Sequence, residues 1–449
     1  MEKDDNIASG RGEERVKGVK FVKGLMLMTC VLGCNSLAEA QHLSDRISLL
    51  FGDRGVEADV DRNAIPHRAH FTSASLATLS LLVKQMAASA ADFPAISTAP
   101  GFTYRYNPQL QVFERSSNLL GPVFVERPET LGRGRIDFGF SYLYINFDEL
   151  NGKNLDHLSF RGLMHNDCCA SPPSPNVPAF EQDNAAIFFQ KFTLQSHVLS
   201  LFATYGITDR WDVNILLPFV FTHFKLRAQA VLNDVSGTRT HSFDRATGAT
   251  TEMRSTSDDP VGIGDLLLRT KYHLIDNNGF NLAAGMTLRL PTGDDADFQG
   301  LGDYTLTPFL VLSQEYWRLH FHASGGLEIN WTDSDRSRAR YAAGVAFSLI
   351  DQLALNVDII GNSYLQRDRL SVRVPQFVNA PGTSEATPTT LPAIRTFNTK
   401  IRPDIVDLAV GFKANVYGAI VGYANVFLPL NDDGIRADVI PSAGLEVSF

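Results

Sequence analysis

From Trp317 to Trp331 the chain alternates strictly. Trp317, Leu319, Phe321, Ala323, Gly325, Leu327, Ile329 and Trp331 occupy the odd positions, and Arg318, His320, His322, Ser324, Gly326, Glu328 and Asn330 the even ones. Period-2 alternation is the signature of a β-strand with two different faces. In a soluble sandwich the apolar face would meet a core about 10 Å thick, and tryptophans bracketing both ends would serve no purpose. On a transmembrane strand those ends lie at the two lipid interfaces, where Trp and Tyr are favoured.

The pattern recurs. Ile136, Phe138, Phe140, Tyr142 and Tyr144 share one face, and Leu266, Leu268, Thr270 and Tyr272 alternate with Asp265, Arg269, Lys271 and His273. Stretches 280–289, 404–415 and 437–449 behave alike. Twelve such segments begin near 134, 188, 211, 262, 279, 303, 317, 338, 353, 403, 418 and 437, the even number of bacterial barrels. Their connections alternate in length. Short links fall at 208–210, 276–279, 314–316, 351–352 and 416–417, and longer or more polar ones around 148–187, 229–261, 291–302, 332–337, 366–402 and 430–436. Short periplasmic turns alternating with long extracellular loops would give that parity. The reading is an all-β fold, a closed antiparallel transmembrane β-barrel of about twelve strands over 131–449, with a short helical N-terminal extension.

Lys17, Lys20 and Lys23 precede an apolar run over 24–33, and Ala38-Glu39-Ala40 supplies small residues at cleavage spacing, so 1–40 reads as a signal peptide. Cleavage after Ala40 ranks above a lipoprotein-like alternative at Cys34. Past the leader only the adjacent Cys168 and Cys169 remain, which suits an oxidising route. With only His165 and Asp167 nearby they make a poor Zn site. Within 41–130, residues 75–91 read as a short helix ended by Pro94 and Pro100, and 103–113 as a small hairpin around Asn107-Pro108. This extension is a plug or a periplasmic segment.

No run of eighteen apolar residues is present, so the sequence offers no spanning helix, and a net charge of −9 argues against nucleic-acid binding. The barrel's partners are outer-membrane lipid, the assembly machinery that reads a terminal strand ending in Phe449, and a small solute. Parity places Asp265, Arg269, Lys271, His273, Arg289, Arg318, His320, His322, Glu328, Arg340, Asp358, Asp407, Lys413 and Glu446 on the inner face. These are the pore candidates. In a narrow barrel opposite charges could equally pair across the lumen and close it.

An outer-membrane enzyme is the competing reading. His197 and its neighbour Ser196 point to opposite faces and cannot form a nucleophile pair, and no outward Ser lies beside His320 or His322. No catalytic residue, cofactor or metal is therefore assigned. His320 and His322 could ligate a metal with Glu328, but lumen histidines bonded to carboxylates are the simpler expectation. A structural or adhesive role for the long loops is allowed by their length alone.

Leu131-Gly-Arg-Gly-Arg135, Tyr205-Gly-Ile-Thr-Asp-Arg-Trp-Asp212, Gly262-Ile-Gly-Asp-Leu-Leu-Leu-Arg-Thr-Lys-Tyr272, Leu288-Arg-Leu-Pro-Thr-Gly-Asp294 and Pro429-Leu-Asn-Asp-Asp-Gly-Ile-Arg-Ala-Asp438 together resemble an outer-membrane family labelled for the meta-pathway of phenol degradation. The resemblance covers roughly 101–449. It implies a barrel that acts as a channel or transporter for small, hydrophobic or aromatic solutes, localised in the outer membrane of a Gram-negative bacterium.

Overall fold

The structure, a computed structural model, describes residues 42–449 except 54, 60–69, 95–96, 99–100, 102–103, 108, 110–111, 116–119, 165–182, 236, 238, 240, 367–369, 380–389 and 400–403. The signal peptide and Cys168 and Cys169 lie outside the described residues.

Twelve of the described strands close a ring: β1 (Ile136–Phe147), β2 (Asn184–Thr208), β3 (Trp211–Asn233), β4 (Leu266–Asn277), β5 (Phe280–Leu290), β6 (Thr305–Tyr316), β7 (Leu319–Asn330), β8 (Arg338–Ile350), β9 (Leu353–Tyr364), β10 (Ile405–Tyr417), β11 (Ile420–Pro429) and β12 (Ile440–Ser448). Every neighbour is antiparallel. The ring shuts where β12 pairs β1, from Ser442 opposite Leu143 to Ser448 opposite Asp137. Closure leaves no edge strand, so every wall amide can find a partner in a medium that offers no water.

Alternation became two surfaces. Phe138, Phe140, Ile215, Leu268, Leu312, Phe321, Ile359 and Phe412 are exposed on the outer wall, while their neighbours in sequence face inward. Tyr205, Trp211, Tyr272, Tyr316, Trp317 and Tyr417 ring the end that carries the short turns, and Tyr304 and Trp331 stand at the other end. An apolar band between aromatic girdles is what lipid requires. No described helix is long and apolar enough to cross a membrane.

Two turns depart from expectation. The expected links at 314–316 and 416–417 lie inside β6 and β10, and the chain reverses instead at residues 317–318 and 418–419. Trp317 and Gly418 adopt left-handed backbone, with φ of 56° and 57°. Positive φ permits a tight two-residue hairpin turn, so each strand runs on to the rim.

The extension forms helices α1 (Leu43–Ser48) and α2 (Thr72–Ala90), and a hairpin of Tyr104–Asn107 with Val112–Arg115. The helix predicted over 75–91 is thus present, but it is not a plug. Leu79, Leu82, Val83 and Met86 of α2 are buried in one cluster with Phe189, Phe192 and Leu194 of β2 and Phe224 and Leu226 of β3, where those strands overrun the barrel at its extracellular end. A helix with this much apolar surface is unsuited to a charged lumen, whereas the overhanging strands offer an apolar wall. Asp183, His241 and His70 tie the same region together: the two histidines share a hydrogen bond at 2.9 Å, and His241 Nδ1 lies 2.9 Å from Asp183.

Candidate functional site

Among the described residues, those that enter the lumen belong to the chain between α2 and β1. Leaving α2 at the extracellular mouth, it descends past Asp92, Phe93 and Thr98 to Gly101, whose amide donates to Glu446 on β12. Farther along, Phe124 packs edge-on against Phe427 of β11, and the segment leaves along the β2 rim. There Gly134 donates to Gly206 at 2.7 Å. A Cβ on Gly206 would lie 1.9 Å from the Gly132 carbonyl oxygen, so only glycine permits this approach.

Charges seat this segment. Asp92 accepts from Arg338 at 2.6 and 2.9 Å and from Arg340 at 2.6 Å, with Arg289 at 3.8 Å. Arg338 and Arg340 also grip Glu328. Lower down, Lys271 donates to Glu126 at 3.0 Å and to the Arg127 carbonyl at 2.6 Å, and the Leu131 amide donates to Asp212 at 2.8 Å. The contacts of Asp92, Glu126, the Arg127 carbonyl and the Leu131 amide join the plug to the wall, and in a space shielded from solvent such paired charges hold their geometry strongly.

Thirteen of the fourteen inner-face candidates lie inside the ring or at its mouth, and they divide by partner. Arg289, Arg340, Lys271 and Glu446 meet the plug directly, and Glu328 joins that cluster through Arg338 and Arg340. Arg269 lies within electrostatic reach of Glu126. Lys413 pairs with Glu446 at 3.1 Å, His322 with Asp358 at 2.7 Å, and Asp407 with Arg436. His273 meets Asn281 at 3.2 Å, and Asp265 accepts from Leu301 and from Arg289. His320 is fully buried 3.7 Å from Glu129.

Arg318 is the correction. It lies at the exposed β6–β7 turn, 5.8 Å over the Trp317 ring, donating to the Leu349 carbonyl at 2.9 Å. Trp317, with its left-handed backbone, and Arg318 form the two-residue turn, so strand parity begins only at Leu319 and does not extend to Arg318. The less favoured metal set of His320, His322 and Glu328 is not assembled, because two arginines take Glu328, whereas His322 meets the carboxylate of Asp358, as the simpler expectation had it. Sequence reasoning missed Asp92, Glu126 and Glu129. Isolated acids in irregular chain carry no periodic signal, and only their proximity to wall cations marks them.

Between plug and wall lies a cavity of about 190 Å³. Phe93, Phe124, Leu267, Phe309 and Ile360 give it apolar surface, and Arg269, Arg289, Arg340, Glu126 and Glu328 give it charge.

The closed ring, its apolar outer band and its aromatic girdles fix the cellular setting. The chain is an outer-membrane β-barrel of a Gram-negative bacterium. Residues 179–374 match the family described as "Putative MetA-pathway of phenol degradation". Three of the motif stretches read from the sequence, at 205–212, 262–272 and 288–294, lie within that match, and 131–135 and 429–438 fall outside it. No match is found among curated proteins. Among solved structures, an outer membrane channel from Pseudomonas putida F1 is 14% identical, with 72% of this chain and 97% of that one covered and a TM-score of 0.41. A FadL homologue of Pseudomonas aeruginosa is 8% identical at a TM-score of 0.33, covering 70% of this chain and 90% of that one. The CymD monoaromatic hydrocarbon channel is 10% identical at 0.30, covering 71% and 89%.

Proposed function

We propose that the barrel is an outer-membrane channel for small solutes whose passage is governed by the segment 91–132. The observation that carries this reading is the plug itself, whose described residues Asp92 and Glu126 are held to the wall by discrete ion pairs around a cavity. Ion pairs can be exchanged for solvent or solute without breaking the wall, whose strands are joined by continuous ladders. Aromatic and aliphatic side chains facing Arg269, Arg289 and Arg340 support small hydrophobic or aromatic solutes, including those bearing a carboxylate or phenolate. We read the chain as non-catalytic.

A second reading has its own support: helices cap one end and the plug crosses the lumen, so the barrel could be a filled, non-conducting scaffold. Liposome flux separates the two. Proteoliposomes of the full chain and of Asp92→Ala are loaded and tested with benzoate, phenol and a neutral sugar. Faster benzoate and phenol entry than sugar entry supports the channel, and Arg269→Glu should then slow benzoate more than phenol. No flux above empty vesicles in either protein would establish the scaffold.

A further inference from the structure

His320 is 0% exposed, and among the described residues neither of its ring nitrogens has a hydrogen-bond partner. A buried imidazole in that state is costly, and native proteins seldom leave one so. Its surroundings suggest what completes it. Nε2 faces Glu129 Oε1 at 3.7 Å, and Glu315 stands directly opposite His320 across the β6–β7 hairpin. One ligand atom from each of Glu129, Glu315 and His320 lies within 4.8 Å of the others.

We propose that these three side chains form a site for a divalent first-row transition cation, of which Zn²⁺ is the test case. Two carboxylates and one imidazole balance a double positive charge and match the oxygen and nitrogen preferences of such ions. Ligand atoms about 2.0–2.2 Å from a metal lie roughly 3–3.5 Å apart, so a modest inward movement of the side chains suffices. Arg127 Nε engages Glu129 Oε2 at 3.2 Å, which leaves Oε1 turned toward His320. Ser313 Oγ, 3.3 Å from that same Oε1, stands where a further oxygen donor is needed. His322 does not compete, because Asp358 and the His320 carbonyl occupy its two nitrogens.

The site joins two parts of the molecule. Glu315 and His320 belong to one wall hairpin whose pairing fixes their separation, while Glu129 belongs to the plug. Occupancy therefore clamps the last turn of the plug to the wall near the periplasmic rim.

The test uses untagged full-length mature protein in detergent, in a His42→Ala background that removes the competing trio of His42, Asp294 and Asp297. Zn²⁺ is titrated calorimetrically, and barrel integrity is checked by heat-modifiable migration. One equivalent should bind, and Glu315→Gln and His320→Ala should each weaken it at least tenfold. Glu315→Gln, at the end of its strand, keeps the test open if His320→Ala fails to fold. Zn²⁺ should also slow amide exchange at residues 129–131 relative to EDTA-treated protein. Absence of binding, or binding unchanged in the variants, overturns the site, and unchanged exchange overturns the clamp. Neither readout depends on solute flux, so failure here and failure of the channel reading are separable.

Discussion

Arg338 holds Asp92 through both terminal nitrogens, at 2.6 and 2.9 Å, and so joins the entry of the plug to the extracellular end of β8. The two residues are 246 apart in sequence. Both are almost fully buried, with side-chain exposures of 4% for Arg338 and 2% for Asp92, so the contact is shielded from the screening that makes surface pairs weak.

Removing the acid should therefore loosen the plug. Asp92→Ala leaves Arg338 and Arg340 with Glu328 as their shared carboxylate, so the loss should fall below the roughly 3–5 kcal/mol of a buried charge stripped of its whole partner. In planar bilayers its open probability should rise above that of the parent protein. An unaltered trace would show that this contact does not restrain the plug.

Lys271 and Glu126 form the lower restraint, 3.0 Å apart. Lys271→Gln and Glu126→Gln should each increase protease access to residues 120–131, and the double variant should add little to either. The coupling is expected at about 0.5–3 kcal/mol, the range for directly contacting partners. Fully additive effects would mean that the two act independently.

The outer face is tested at neighbouring positions of β7. Ala323 points to lipid and Ser324 into the cavity. Ala323→Arg should destabilise the barrel by about 2–4 kcal/mol, while Ser324→Gln should change it far less. Urea titration in lipid vesicles measures both, and equal losses would contradict the assigned faces.

Just past the extracellular end of β1, burial and the neighbouring Asp438 push the Asp148 carboxyl up to about 6 from 3.8. The folded protein thus holds this proton more tightly than the unfolded chain. Its stabilising contribution is complete below the unfolded value and is lost as pH rises through the folded one. Asp438→Asn should flatten the decline between about pH 4 and pH 6 and raise stability above it. Thermal melts at pH 5 and pH 8 give the comparison. A pH profile identical to the parent would exclude the pair as its source.

The sequence by itself determined the wall. Period-2 alternation at 136–144, 265–273 and 319–330 assigns each residue a face, and the parity of loop lengths orders the twelve strands, because a closed sheet in lipid admits few other solutions. It failed at Arg318, where the left-handed backbone of Trp317 interrupts the alternation. What fills the wall was decided by tertiary structure alone. Residues 91–132 have no period, and their acids find arginines, a lysine and a histidine far along the chain only once the ring has closed around them. Local pattern encodes which side of a strand meets lipid, whereas contacts between an irregular segment and a curved wall depend on where distant strands come to lie.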